Sequence, residues 1–143
     1  MPSEGVIVLE RRSAYGAVMA KGQDKKLIAI VDDDESVQSA LEDLIEAEGL
    51  SPRCFGSAEE FLESGLLRKV ACLITDIRMP GMSGLELQAR LKADGYKTPI
   101  IFITAHGDAR VRIQAMREGA VEFLMKPFDD QVLLTRVRTA LDM

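Results

Sequence analysis

The stretch LIAIVDDDE, residues 27–35, places four consecutive acids directly after an apolar run. A short run of β-branched and other apolar residues that ends at a polar break is typical of a strand buried on both faces. In sheets built from alternating strands and helices, ligand sites lie at the carboxyl ends of the strands. The stretch therefore predicts a buried first strand with a cluster of carboxylates at its functional end.

Carboxylates this close together repel one another, which either raises their pKa values or calls for a cation. Because the available ligands are oxygens, the cation that suits them is a hard one such as Mg²⁺. The alternative is structural: acids in a first helical turn complement the helix dipole, and Asp34 or Glu35 can serve that end. The run alone supports the two interpretations about equally, and the rest of the chain decides between them.

Further apolar runs follow, separated by amphipathic stretches. The predicted strands are residues 27–31, 52–55, 70–75, 99–104 and 120–125. Ser57 and Ser83 each precede a glutamate by three residues, the spacing of a capping box, and Gly49 and Gly119 are predicted to end helices. Strands that alternate with helices in this way predict an α/β domain with a doubly wound, five-stranded parallel sheet and helices on both faces.

Composition excludes several classes of protein. A chain of 143 residues with 47% hydrophobic residues fits one globular domain. The formal net charge of −5, with no basic stripe, argues against direct nucleic-acid binding. No apolar run approaches the ~20 residues of a membrane span, and the N-terminus lacks the pattern of a signal peptide. Cys54 and Cys72 lie in strand-like runs without metal-site spacing, which favours buried free thiols in a reducing, cytoplasmic setting.

The first 26 residues differ from the rest of the chain because their composition is mixed and they carry no chemical motif. We therefore predict an N-terminal extension or linker at residues 1–26 and a single domain at residues 27–143.

Three more polar residues fall at the carboxyl ends of predicted strands. Asp76 follows the third strand, Thr104 ends the fourth and Lys126 follows the fifth. Because these ends meet at one edge of a parallel sheet, the fold is expected to gather all three beside Asp32 and Asp33. Each could also have a structural role, as a turn acid, a strand former or a solvated lysine, but together they favour a site.

The residue types suit phosphoryl transfer. Asp33 and Asp76 can ligate Mg²⁺ directly, and Asp32 can do so through a water. A carboxylate oxygen of Asp76 is a competent nucleophile on phosphorus. Lys126 can supply positive charge, and Thr104 a hydroxyl donor, to the phosphoryl oxygens.

With these motifs in this order, the chain from residue 27 to about 141 resembles the receiver domain of two-component response regulators. The segments that carry the resemblance are IVDDDE at 30–35, LITDIRMPGMSG at 73–84, ITAHGD at 103–108 and FLMKPF at 123–128. The last two segments are similar in sequence to the corresponding motifs of FixJ-type receivers. The resemblance implies a flavodoxin-like fold of the receiver type, and it implies that Lys126-Pro127 is a candidate cis bond.

The resemblance also implies a site and a partner. Asp76 would accept a phosphoryl group from a histidine kinase, a phosphotransfer protein or a small donor such as acetyl phosphate. Mg²⁺ would be bound by Asp33, Asp76 and the backbone carbonyl of Arg78, with Asp32 in support. The protein would then be a cytoplasmic signalling phosphoacceptor that phosphorylates and dephosphorylates itself, and not an enzyme with an external product.

A conformational switch is implied as well. Thr104 would move toward the phosphoryl group while the ring of Phe123 swings inward behind it. The face formed by the fourth helix, fifth strand and fifth helix would then change its partner preference, and a homodimer through this face is one expected outcome.

Two rival functions remain open at this point. One is a phosphohydrolase of the haloacid dehalogenase type, for which Asp32 and Asp34 have the required spacing. Ser36 stands where that motif has Thr or Val, and the chain leaves no room for a cap domain. The other is a receiver-like interaction module that works without phosphorylation, although such a module need not keep the whole set of site residues.

Overall fold

The computed structural model describes residues 25–105 and 107–142, so the predicted extension at 1–26 lies almost wholly outside the described residues, as does His106. The strands are β1 (Leu27–Val31), β2 (Ser51–Phe55), β3 (Val70–Thr75), β4 (Ile100–Thr104) and β5 (Glu122–Met125). The helices are α1 (Glu35–Ala47), α2 (Ala58–Leu62), α3 (Gly84–Ala93), α4 (Ala109–Arg117) and α5 (Asp130–Leu141). None of these described helices has the length and apolar character needed to cross a membrane.

The five strands form one parallel sheet in the order β2-β1-β3-β4-β5, which confirms the predicted doubly wound α/β fold. The chain winds outward in opposite directions from β1 and β3, and the connections diverge between these two strands. In such sheets this divergence opens a crevice at the carboxyl ends of the central strands. The crevice lies where the acids after β1 and β3 are found.

Alternate residues of the strands fill two separate cores, because successive side chains point to opposite faces of a sheet. On one face the strands pack against α2, α3 and α4, and on the other against α1 and α5. The first core includes Ala29, Val31, Leu73, Phe102, Phe61 and Leu87. The second includes Ile28, Ile30, Ile74, Ile103, Leu41 and Val137. Strands covered on both faces explain why β3 and β4 are nearly continuous apolar runs.

The strand boundaries shift from the prediction by one or two residues. β2 begins at Ser51, β4 begins at Ile100 after Pro99, and β5 begins only at Glu122. The late start of β5 has a clear cause, since the Ala120 N–H donates to the Ala115 carbonyl at 3.1 Å and so belongs to the end of α4. Residue 120 therefore belongs to the turn that follows α4 and not to a strand.

The helix signals are mostly confirmed. Asp34 caps α1 by accepting from the N–H groups of residues 36 and 37, and Gly49 and Gly119 follow α1 and α4 with positive φ. Ser83 and Glu86 form the complete capping box at α3. At α2 the predicted box is only half present, because Glu60 Oε1 accepts from the N–H of residue 56 instead of that of the cap.

The described cysteines are both free thiols. Cys72 is buried in the core, as predicted, and Cys54 is only half-buried because β2 lies at the edge of the sheet.

Candidate functional site

The backbone of the site is an extension of the sheet. Hydrogen bonds of the ladder type continue one residue beyond three strands. The Asp32 N–H donates to β2 at 3.1 Å, the Asp76 N–H donates to β1 at 3.0 Å, and the Lys126 N–H donates to β4 at 2.8 Å. Each of these side chains is therefore presented from a backbone held by the neighbouring strand, at one edge of the sheet.

Three carboxylates converge there. One oxygen each of Asp32, Asp33 and Asp76 lies within 4.8 Å of the others. Asp32 is fully buried and Asp76 nearly so, whereas Asp33 is exposed. The structure thus brings together the three acids that the sequence singled out, in a cluster that could bind a metal ion.

Lys126 links the two buried acids. Its Nζ lies 2.9 Å from Asp32 Oδ2 and 2.9 Å from Asp76 Oδ2. Burial alone would lower the pKa of Lys126, but the hydrogen bonds to Asp32 and Asp76 outweigh it and raise that pKa above its ordinary value. Burial raises the pKa of Asp32, and the Asp34 N–H and Lys126 offset only part of that rise. The site therefore carries a firmly protonated ammonium between two carboxylates.

Backbone donors orient the same two carboxylates. Asp32 Oδ1 accepts from the Asp34 N–H at 2.9 Å. Asp76 Oδ1 accepts from the Ile77 N–H at 2.6 Å and from the Arg78 N–H at 3.4 Å. In each carboxylate one oxygen faces the backbone and the other faces Lys126, so both side chains are held from two directions.

An open cleft of about 410 Å³ exposes this cluster. Its lining includes the three acids, Lys126, Ala105 and the exposed Arg78. Beside it, an apolar groove of about 470 Å³ runs between α1 and the chain after β5, lined by Val37, Ala40, Pro127 and Phe128 among others. The Lys126-Pro127 bond in this wall is cis, as the resemblance implied.

The predicted switch residues, Thr104 and Phe123, lie in β4 and β5. Thr104 is fully buried at the carboxyl end of β4. Phe123 is 3% exposed in β5, and its ring packs on Phe102 with the ring centroids 6.4 Å apart. A side chain at Gly107 would come within 2.6 Å of the Phe123 ring, so the loop after β4 lies directly over it. The ring occupies an inward position in this structure, and its predicted movement stays a prediction.

The predicted partner face carries exposed apolar side chains. Among the described residues, the large hydrophobic side chains that are exposed all lie on α4, β5 and α5. They are Ile113, Met116, Met125 and Val132.

The structure adds one contact to the site that the motifs did not reveal. Glu59 of α2 accepts a hydrogen bond from the Met82 N–H, in the loop that follows Asp76, at 2.8 Å. In the sequence Glu59 stands beside Glu60 in a helix-start pattern, which predicts only a capping role. No local signal connects it with a loop 23 residues later.

Comparisons with known proteins agree with this geometry. The family described as the response regulator receiver domain matches residues 28–138. The chain is 47% identical over 115 residues to the response regulator protein TodT of Pseudomonas putida, covering 80% of this chain and 51% of that protein. It is 42% identical over 114 residues to the transcriptional regulatory protein FixJ of Azorhizobium caulinodans, covering 80% of this chain and 54% of that protein.

Among solved structures, the response regulator StyR superposes with a TM-score of 0.77 at 45% identity, covering 82% of this chain and 60% of that one. The chain thus spans about half the length of the curated relatives it matches. The resemblance found in the sequence, including its FixJ-like wording, is confirmed.

Proposed function

The chain belongs to the family of response regulator receiver domains, and we propose that it accepts a phosphoryl group on Asp76 in two-component signalling. The observation that carries the proposal is the convergence of the Asp32, Asp33 and Asp76 carboxylates within 4.8 Å, with Lys126 bonded to two of them. A purely structural acid cluster has no need of an exposed third acid in an open cleft.

The cluster fits Mg²⁺, because hard carboxylate oxygens converge and one of the acids is exposed to solvent. Asp33, Asp76 and the backbone carbonyl of Arg78 would hold the ion, with Asp32 in support. When bound, Mg²⁺ neutralises the acids so that an anionic phosphoryl donor can approach them.

The proposed chemistry begins at a carboxylate oxygen of Asp76. That oxygen forms a bond to phosphorus while the P–N bond of a phosphohistidine breaks, and the imidazole nitrogen leaves with the electron pair. Lys126 keeps its positive charge beside the new acyl phosphate, and the Thr104 hydroxyl donates to a phosphoryl oxygen. Later a water attacks phosphorus, the bond to Asp76 breaks, and inorganic phosphate departs with the carboxylate restored.

The protein is therefore proposed as a phosphoacceptor that modifies only itself. The new anionic group would shift the balance between two packings of Thr104 and Phe123, and with it the exposed face of α4, β5 and α5. The apolar side chains on that face make a second copy of the chain the proposed partner of the phosphorylated form.

The phosphoryl donor would be a histidine kinase or a phosphotransfer protein. A helix is the class of partner that fits the apolar groove lined by Val37, Pro127 and Phe128 beside the acids. We also propose that the receiver domain spans residues 27–143, with an extension at residues 1–26. The proposed location is cytoplasmic, because both described cysteines are free thiols. With a net charge of −5, direct nucleic-acid binding is not part of the proposal.

Beryllofluoride, which imitates a phosphoryl group on a carboxylate, tests the proposal through stability. With Mg²⁺ it should raise the melting temperature of the wild type by several degrees, since it binds only the folded state. The same rise is expected in Asp43→Asn, an exposed acid of α1, and no rise in Asp76→Asn. A wild type that shows no shift would instead favour a receiver-like module that works without phosphorylation.

A further inference from the structure

The loop between Asp76 and α3, residues 76–83, is attached to α2 as well as to the sheet. Its Met82 N–H donates to Glu59 Oε2 at 2.8 Å. Glu59 is the second residue of α2, a helix of 5 residues. The contact joins a loop of the acid cluster to an element that contributes none of the predicted site residues.

The same carboxylate also fills the space beside the turn of the loop. Gly81 has φ +77°, and a Cβ placed there would lie 2.6 Å from Glu59 Oε2. The turn needs glycine because of its left-handed backbone, and the missing side chain leaves the space that the Glu59 carboxylate fills. The Glu59 carboxylate therefore lies against the loop at residue 81 and accepts its hydrogen bond at residue 82.

Beneath the loop, burial of two of its apolar side chains provides a second anchor. Ile77 and Met79 are buried in the same core as Ala58 and Phe61 of α2. Apolar packing thus fixes the underside of the loop, and Glu59 fixes its exposed side. Arg78, whose N–H lies 3.4 Å from Asp76 Oδ1, is held between these anchors.

We propose that Glu59 is a positioning residue of the phosphoacceptor site. By holding the loop through Met82, it preorganises the backbone around Arg78 before Mg²⁺ binds. A loop that is already ordered costs less conformational entropy on binding, so the gain appears as metal affinity. The inference rests on the proposed function, because it assigns Glu59 to that metal-dependent site.

Glu60 provides a matched control. It lies in the same helical turn and carries the same charge, but its Oε1 accepts from the Gly56 N–H at 2.6 Å, at the start of the helix and away from the loop. Glu59→Ala and Glu60→Ala therefore remove equal charge and comparable helix contacts. Glu59→Gln removes the charge and keeps an oxygen that can accept from Met82.

The experiment measures the Mg²⁺ dissociation constant of each unphosphorylated variant by titration calorimetry, and then the rate of phosphorylation by acetyl phosphate over a range of Mg²⁺. Glu59→Ala should raise the dissociation constant about three- to tenfold, the worth of one hydrogen bond. Saturating Mg²⁺ should restore most of its phosphorylation rate. Glu59→Gln and Glu60→Ala should each stay within about twofold of the wild type.

Two results would overturn the inference. One is an unchanged dissociation constant in Glu59→Ala, and the other is an equal increase in Glu60→Ala, which would show a general effect of α2 or of charge. A wild type that binds Mg²⁺ and gains a phosphoryl group while Glu59→Ala behaves identically defeats this inference alone. A wild type that does neither defeats the proposed function together with it.

Discussion

Lys126 pairs its positive charge with two of the negative charges of the site. Its ammonium is bonded to Asp32 and Asp76, two of the three acids that would also hold a metal ion. The sequence predicts a positive charge for the phosphoryl group at this position, because the residue follows β5. The sequence does not predict the double ion pair. That pair depends on how far the Lys126 side chain extends past β4 toward the acids after β3 and β1.

Replacing Lys126 with methionine should separate metal binding from chemistry. Without the ammonium, the acids attract Mg²⁺ more strongly, and its dissociation constant should fall severalfold. Phosphorylation by acetyl phosphate should slow about 100-fold, because the charge that stabilises the transferring group is gone. Calorimetry and a time course of phosphorylation measure the two effects.

Lys92→Met is the control for that substitution, since Lys92 is an exposed lysine of α3 that pairs with Glu118, the residue after α4. It should change neither quantity. A Lys126→Met protein with weaker Mg²⁺ binding would contradict the view that the lysine and the metal compete for the same acids.

Gly84 shows how closely the start of α3 approaches the proposed phosphoacceptor. A Cβ at this position would overlap the backbone carbonyl oxygen of Asp76. Gly84→Ala should therefore cost about 1–3 kcal/mol in the free energy of unfolding, as overpacking does, and should also slow phosphorylation by displacing Asp76. At Gly56, a Cβ would meet only Glu60 Oε1 at 3.6 Å, so Gly56→Ala should be tolerated.

Chemical denaturation and the rate of phosphorylation by acetyl phosphate measure both glycine variants. If Gly84→Ala and Gly56→Ala have equal stability and equal rates of phosphorylation, the prediction is wrong, because the backbone around Asp76 then accommodates a methyl group without cost.

Among the elements, local sequence signals account for most helix ends but not for all of them. Ser83-Glu86 and Ser57-Glu60 have the same spacing, yet only the first pair forms a reciprocal box. The cap backbones differ, with φ −78° at Ser83 and φ −154° at Ser57. At the second cap, the Glu60 side chain accepts from the N–H of the preceding residue instead. Spacing alone carries no information about this torsion.

The contact between β5 and α5 should respond to pH. Burial raises the pKa of Glu122, but the hydrogen bond from the Phe123 N–H and the ion pair with Arg136 at 2.7 Å outweigh it and lower that pKa below its ordinary value. Because the folded-state pKa is below the unfolded-state value, the charged form stabilises the fold above the unfolded value. That contribution is lost as the pH falls through the folded-state pKa.

Glu122→Gln should therefore lower the free energy of unfolding by about 0.5–1 kcal/mol at neutral pH. The difference from the wild type should begin to narrow as the pH falls below the unfolded-state pKa, about 4.3, and should go on narrowing as the pH passes the lower folded-state pKa. Urea denaturation at several pH values measures this difference. Glu46→Gln, at an exposed acid of α1, should not reproduce it. A difference between Glu122→Gln and wild type that stays constant or grows on acidification would contradict the assignment.

At the scale of the whole molecule, the sheet explains both the core and the site. The alternation of strands and helices predicts the parallel sheet, and the carboxyl ends of its strands gather Asp32, Asp33, Asp76, Thr104 and Lys126 at one edge. These placements follow from topology, which the apolar pattern reveals.

Contacts that depend on how far a side chain extends do not follow from the apolar pattern of the sequence. The bond from Met82 to Glu59 requires the position of α2 relative to a loop 23 residues away. The packing of the Phe123 ring under Gly107 likewise requires the path of the loop after β4. Both contacts depend on tertiary packing, and periodicity and capping signals carry no information about it.

The proposed function requires this edge of the sheet to accept a phosphoryl group on Asp76. The most direct measurement is the intact mass of the protein after incubation with acetyl phosphate and Mg²⁺. We expect one added phosphoryl group that hydroxylamine removes, and none in Asp76→Asn. An unchanged mass in the wild type, or an adduct that survives Asp76→Asn, would contradict it.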